Sequence, residues 1–240
     1  MNFYKGKLMS KKIKHFGRLL RLPFNRYVAL KKIKNLHRKP YKLESIVEKA
    51  IDFKTTGFFK IKSVQKESEI QSLALAVSKL KPKNILEIGT CDAGTLFIWA
   101  NIASKKVITC DIHGNNRRTK FYESFPPENS GCSVKTMIGN SHDAIFKERV
   151  KEELAGEKVD FLFVDGDHTE KGVEQDYNDY KDFVRPGGII AFHDILEKQP
   201  TPANQVYYLW ERLKKEYDVQ EFVDDYNQCG YGIGVIHVTK

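Results

Sequence analysis

No acidic residue occurs in the first 40 positions of this 240-residue chain, although they hold 13 Lys or Arg. The other 200 residues carry 27 basic and 31 acidic side chains, so the net charge of +9 is a basic arm ahead of a mildly acidic body. A polyanion or an anionic membrane would meet the arm first. Cysteine is scarce: Cys91, Cys110, Cys132 and Cys229 stand far apart and form no CxxC pair. That argues against a disulfide scaffold or a zinc knot and makes a reducing cytoplasm the simplest expectation. No apolar run approaches the roughly 20 residues of a spanning helix, and the first 20 residues are too charged for a secretory signal. The dinucleotide pattern GxGxxG is also missing, which disfavours an NAD-dependent oxidoreductase.

The arm, residues 1–40, is not low-complexity. Met9, Ile13, Phe16 and Leu20 fall at helical spacing among lysines and arginines; Pro23 interrupts, and Tyr27, Leu30 and Ile33 restart the pattern. Two short amphipathic helices are expected. Three partners suit them, in this order: the chain's own body or a second copy in a homo-oligomer, an anionic membrane surface, and nucleic acid. Residues 41–81 read as a second segment, with helices over 42–54 and 64–80 stopped by Pro82.

From 82 to 240 the chain alternates. Strands are expected over 84–90, 106–112, 133–140, 159–167 and 189–195. Helices are expected over 94–104, 118–125, 141–154, 170–184 and 204–217. Arg185-Pro186-Gly187-Gly188 reads as a helix stop and turn, and 219–225 with 232–240 as a closing antiparallel pair. Near-continuous apolar strands joined by helices predict an α/β, doubly wound parallel sheet covered on both faces. Ligands of such sheets bind beyond the carboxyl ends of the strands, so the residues just after each strand are the candidates.

The first strand runs into "EIGTCDAGT". Gly89 permits a sharp turn, and Gly94 and Thr95 open a helix whose free N–H groups can receive an anion. A plain structural turn is the other reading. Asp111 ends the second strand 24 residues after Glu87; it is either a turn residue or an acceptor for two ribose hydroxyls. Asn140 and Ser141 follow the third strand, at an adenine edge or with Ser141 as the next helix cap. The fourth strand ends in "FLFVDGDHTEKG" and the fifth in His193-Asp194. Neighbouring strands would bring Asp165 and Asp194 together, a carboxylate pair suited to a hard divalent ion such as Mg²⁺, with His168 beside them. Asp167 is either a helix cap or a further ligand.

These stretches, with "VITCDI" and the run from "FLFVDGDH" to "FHDI", resemble class I S-adenosylmethionine-dependent methyltransferases. The nearest branch holds metal-dependent sugar and macrolide O-methyltransferases and cephalosporin-hydroxylase-like proteins. The resemblance covers about 82–240 and implies a Rossmann-like sheet of seven strands with the last antiparallel. It implies S-adenosylmethionine as cofactor, with Glu87, Gly89, Thr90, Gly94 and Thr95 around its methionine end. Asp111 would hold the ribose, Asn140 and Ser141 would lie near the adenine, and Asp165 would border the cofactor. Asp165, Asp194 and His193 would hold the divalent metal, and His168 would be the general base. The chain departs twice. Ala93 replaces a usual Gly and is tolerable only at negative φ; His193 stands where many relatives carry a carboxylate, which weakens the fit to Mg²⁺.

The expected function is metal-assisted O-methylation of a sugar hydroxyl or similar small molecule, with residues 41–80 and 113–130 covering the acceptor. A nucleic-acid methyltransferase recruited by the arm is the alternative. It lacks the Asn-Pro-Pro-aromatic element after the fourth strand; the Pro126-Pro127 pair lies elsewhere. A non-catalytic cofactor-binding scaffold is a further reading, and it has no need of the Asp165, His168 and Asp194 set. The expected location is cytoplasmic, with the arm suited to the inner face of a membrane.

Overall fold

The computed structural model describes residues 21–38, 42–53, 59–114 and 116–239. Met9, Ile13, Phe16 and Leu20 lie outside them. Seven strands form one sheet: β1 (Asn84–Ile88), β2 (Lys106–Asp111), β3 (Ser133–Ile138), β4 (Val159–Val164), β5 (Val184–His193), β6 (Val219–Phe222) and β7 (Ile233–His237). Their order is β3-β2-β1-β4-β5-β7-β6. All neighbours from β3 to β5 are parallel, and β7 runs antiparallel to both β5 and β6.

Alternation across the strands explains the two layers. Ile85, Val107, Phe161, Phe163 and Ala191 face one apolar cluster; Leu86, Ile88, Ile108, Leu162 and Ile190 face the other. The first is covered by α1 (21–37), α2 (Leu43–Ile51), α3 (Glu67–Lys79), α4 (Gly94–Ile102) and α5 (Asn116–Tyr122). The second is covered by α6 (Ala144–Leu154), α7 (Glu170–Tyr180) and α8 (Val206–Leu213). Trp99 of α4 packs edge-on against Phe161 and Phe163, at ring distances of 4.9 and 5.7 Å. Burying side chains of this size contributes about 1.5–3 kcal/mol each.

Several expected boundaries shift, each for a local reason. Helix α1 passes through Pro23 and buries Ala29 and Ile33 against the first cluster, while Tyr27 stays exposed. Ser141 does not cap α6. Asp143 does, its carboxylate accepting the N–H groups of Ile145 (2.7 Å) and Phe146 (3.3 Å). Helix α7 ends at Tyr180 and tightens into a 3-10 turn over Lys181–Phe183. The Pro-Gly-Gly stretch is part of β5: Gly187 donates to Val238 O and Val238 donates back to Gly188 O. The β4–β5 register shifts there, and a Cβ on Gly188 would lie 2.8 Å from Asp160 O.

The loop after β1 sets the site. Gly89 has φ +101°, and a Cβ on it would sit 2.0 Å from the carbonyl oxygen of Asp165. Ala93 also has positive φ, +61°, contrary to the expectation of a negative value. A left-handed alanine costs roughly 1–2 kcal/mol. Here the surroundings over-determine it: its methyl is fully buried, its N–H donates to Thr90 O at 2.7 Å, and it bridges to Lys62.

Two substitutions separate these cases. Gly89→Ala is expected to cost about 3 kcal/mol or more and to lower Tm by roughly 6–12 °C. Ala93→Gly relieves the left-handed cost but loses a buried methyl, about 0.8 kcal/mol, and adds unfolded-chain entropy, about 0.4–1 kcal/mol. It should leave stability within about 1 kcal/mol of wild type; thermal unfolding of both variants checks the contrast.

Candidate active site

An open cleft of about 940 Å³ lies beyond the carboxyl ends of β1, β2, β4 and β5. It is centred where the strand order turns, β1 leading out through β2 to β3 and β4 through β5 the other way. Of the residues singled out from the sequence, Gly89, Asp111, Asn140, Ser141, Asp165, His168, His193 and Asp194 line it. Glu87, Thr90, Gly94 and Thr95 do not; all four are buried behind the loop.

Glu87 is a support. Its carboxyl accepts from Trp99 Nε1 (2.9 Å) and Thr109 Oγ1 (2.6 Å). Burial pushes its pKa up to about 8, although Thr109, Thr95 and Trp99 pull the other way. Gly94 admits the N-terminal segment: a Cβ there would lie 2.2 Å from Ser63 N. Asp111 accepts three backbone N–H groups, from Thr90 (3.1 Å), Cys91 (2.8 Å) and His113 (2.7 Å). The successive amides of Thr90 and Cys91 thus point at one carboxylate oxygen, as in an anion nest. Asn140 turns its own loop by accepting His142 N at 3.0 Å.

The ends of β4 and β5 converge. His168 Nε2 lies 3.2 Å from Asp165 Oδ1 and its Nδ1 lies 3.1 Å from Asp194 Oδ2. His193 Nδ1 lies 3.1 Å from Asp165 Oδ1 and 3.5 Å from Asp194 Oδ2. Burial works against charging His168, but hydrogen bonds to both carboxylates raise its pKa to about 10. Burial likewise opposes the charge on His193, and Asp165 and Asp194 still raise it. For both aspartates burial works upward and the two imidazoles outweigh it, holding the carboxyls below their ordinary range. Asp194 sits at φ +62°, a strained position. Its Oδ1 accepts Tyr231 N at 2.9 Å and its Oδ2 accepts Asn204 Nδ2 at 2.6 Å.

The divalent ion implied by the resemblance would need these same side chains. Asp165, His193 and Asp194 do come together, but all four carboxylate oxygens and His193 Nδ1 are engaged, with one another or with His168, Gln65, Asn204 and Tyr231 N, and only His193 Nε2 has no partner. Among the described residues no three His, Cys, Asp or Glu side chains form a group that could hold a metal ion. As the side chains stand they fit an imidazolium between two carboxylates, not an ion. Asp167 takes the turn role: it accepts Thr169 N at 2.9 Å, and Thr169 caps α7 by accepting Gly172 N at 3.1 Å.

Sequence reasoning missed two members. Gln65 donates from Nε2 to Asp165 Oδ2 at 2.7 Å across 100 positions. Its carbonyl is engaged by the Ser63 hydroxyl, which fixes the amide's orientation. No spacing rule points to it. Asn204 stands in the loop after β5, and the rule that ligands gather after strand ends could have found it. Of the segments expected to cover the acceptor, 41–80 gives Val64 and Gln65 to the cleft, and 113–130 gives His113 and Arg118.

Comparison with known proteins agrees with this architecture. Residues 86–195 match the family described as Methyltransferase domain. The O-methyltransferase TomG from Streptomyces achromogenes, solved with SAM, is 16% identical, with a TM-score of 0.55 over 84% of this chain and 92% of its own. A Bacillus cereus O-methyltransferase solved with SAH is 17% identical, with a TM-score of 0.52 over 87% and 99%. MycE of the mycinamycin pathway, solved with Mg, SAH and mycinamycin VI, is 16% identical, with a TM-score of 0.56 over 85% and 54%. At these identities the structures speak for the fold. An uncharacterized protein of Acanthamoeba polyphaga mimivirus, R132, is 30% identical over 133 residues, 55% of this chain. The aligned part spans about half of that relative, 49%. The sheet thus has the Rossmann-like fold of these structures, and residues 86–195 within it match a methyltransferase domain.

The charge network predicts a pH dependence of stability. His168 has a raised folded pKa, so its contribution is complete below about 6.5 and fades as pH rises toward about 10. Asp165 and Asp194 are depressed; their contribution is present above about 3.8 and is lost as pH falls through the lower folded values. Tm should form a plateau between these limits. The gap in Tm between wild type and His168→Asn should shrink steadily from pH 6.5 to 10; a constant gap in a thermal-shift series would contradict the network.

Proposed function

We propose that the protein is an S-adenosylmethionine-dependent O-methyltransferase acting on a sugar hydroxyl or a similar small polyol. The observation that carries this reading is the meeting of His168, Asp165 and Asp194 in the same cleft as Gly89 and Asp111. In this reading the backbone at Gly89 lines the place of the cofactor's methionine end, Asp111 receives the ribose, and Asn140 and Ser141 border the adenine. Gln65, Thr201 and Asn204, which line the cleft, offer amide and hydroxyl groups suited to a polyhydroxyl acceptor.

The chemistry is an in-line displacement. The acceptor oxygen attacks the methyl carbon, the carbon–sulfur bond breaks, and sulfur leaves as a neutral thioether. Positioning supplies much of the rate. The hydroxyl proton must go to a base; in this reading the acceptor hydroxyl takes the place of one carboxylate beside His168, whose two ring nitrogens face Asp165 and Asp194, and the other carboxylate stabilises the imidazolium that forms. A base held this way is strong but mostly protonated at neutral pH. The metal-assisted form of the reaction finds support in the convergence of Asp165 and Asp194, yet their oxygens are already engaged, so no step is assigned to an ion.

The test is a pH–rate profile with S-adenosylmethionine and a panel of glycosides and nucleotide sugars. With His168 as base, kcat should climb about tenfold per pH unit above neutrality and level near its pKa of about 10. His168→Ala should lose roughly 10²–10⁴-fold in kcat while calorimetry shows unchanged S-adenosylhomocysteine binding. Asp111→Ala should do the reverse and weaken that binding about tenfold or more. A chelator-sensitive rate that levels near pH 7 would replace this reading with metal assistance at the same carboxylates. Full activity of His168→Ala would remove the base assignment.

A further inference from the structure

Helix α1 has two unlike faces. Ala29 and Ile33 are buried in the first apolar cluster, with Leu22, Leu30 and Leu36 packed against it. His37 Nε2 is 3.0 Å from Asn101 Oδ1 at the end of α4. The helix is therefore fixed to the body in one rotation, and its outer face is defined. That face carries Arg21, Phe24, Tyr27, Lys31, Lys34 and Arg38, all exposed and spaced by three or four positions, which aligns them in one stripe. Phe24 is 66% exposed and Tyr27 61%. No acidic residue occurs in 21–38. Among the described residues the stripe forms one ion pair, Lys34 with Glu128 at 2.7 Å, an exposed pair that offsets little of the charge.

We infer that this stripe is a docking surface for an anionic phospholipid bilayer. Charge complementarity is the first argument: the helix is wholly basic, while residues 41–240 carry net negative charge and would keep the rest of the body off the same surface. The second is the pair of rings. Two large aromatics kept in water on a basic helix match the interfacial helix pattern, in which rings enter the headgroup boundary and cations meet the lipid phosphates. A straight stripe about 25 Å long, at 1.5 Å per residue, also suits a flat bilayer. A nucleic-acid backbone would use the cations but leaves Phe24, exposed at the far end of the stripe, without a role; the hollow of about 280 Å³ among Tyr27, Leu30, Lys31, Lys34, Asn35 and Arg38 sets cations around a space that a lipid headgroup can enter.

The experiment is co-sedimentation of the full chain with vesicles of phosphatidylcholine alone or with about one-third phosphatidylglycerol. Binding is expected only to the anionic vesicles, and it should fall steeply with added salt. Lys31→Glu/Arg38→Glu should reduce the partition coefficient on the order of a hundredfold, and Phe24→Ala/Tyr27→Ala about tenfold. Unchanged Tm and S-adenosylhomocysteine affinity in both variants show that they fold. Equal binding to neutral vesicles, no binding to anionic ones, or binding that survives both double substitutions would overturn the assignment. So would salt-sensitive binding to a short RNA without vesicle binding, which would make the stripe a nucleic-acid surface.

Discussion

The structure turns on the contact between β1 and β4 at their carboxyl ends. Asp165 N donates to Ile88 O at 2.8 Å, and the carbonyl of Asp165 then occupies the space where a side chain on residue 89 would be. A residue with a Cβ would push these strand ends apart. Because they stay together, the loop that starts at Gly89 and the loop that starts at Asp165 open into one cleft. The direction of the sheet reverses at the same seam, which is the place where open α/β sheets leave room for a ligand. Fold and site therefore depend on one missing methyl group.

Across that seam the site balances charge. Two aspartates within reach of one another would repel in a buried setting. His168 and His193 stand between them and reverse the sign of the problem: each proton added to an imidazole is stabilised by two carboxylates. The cost of burying four ionisable groups is met only because nearly every polar atom has a partner. The exception is His193 Nε2, which is buried without a hydrogen bond. Gln65 and Asn204 complete the set from outside: Gln65 gives an amide N–H to Asp165 Oδ2, the oxygen the imidazoles leave available, and Asn204 gives one to Asp194 Oδ2, which it shares with His168.

Much of this was legible in the sequence, because strands buried on both faces are written as unbroken apolar runs. "FLFV" and "IIAF" gave away β4 and β5, and parallel neighbours put Asp165 next to Asp194 without any structure. What stayed hidden was set by distant chain. Glu87 reads as a pocket acid, yet its side chain alternates to the inner face, where Trp99 and Thr109 hold it. Ala93 reads as a residue at negative φ; only the burial of its methyl and the bridge to Lys62 allow the left-handed turn. Ser141 and Asp143 are both plausible caps in "NSHD", and the choice rests on where the strand lets go. Gln65 carries no local signal because its partner lies 100 positions away.

That last residue shows why residues 59–79 cannot be regarded as a mere cover. Lys62 bridges to Ala93, and Ser63 N sits where a side chain on Gly94 would be. Gln65 orients Asp165. Four residues on, Glu69 is almost fully buried and accepts the N–H groups of Asp224 and Gly232 and the side-chain amide of Gln228. The same strap thus grips the loop after β1, the carboxylate at the end of β4 and the turn between β6 and β7. Tyr231, in that turn, in turn holds Asp194. Both aspartates of the site are consequently positioned through one short stretch of the N-terminal half. A disturbance of that stretch would reach the reaction centre through hydrogen bonds alone, without any movement of the sheet.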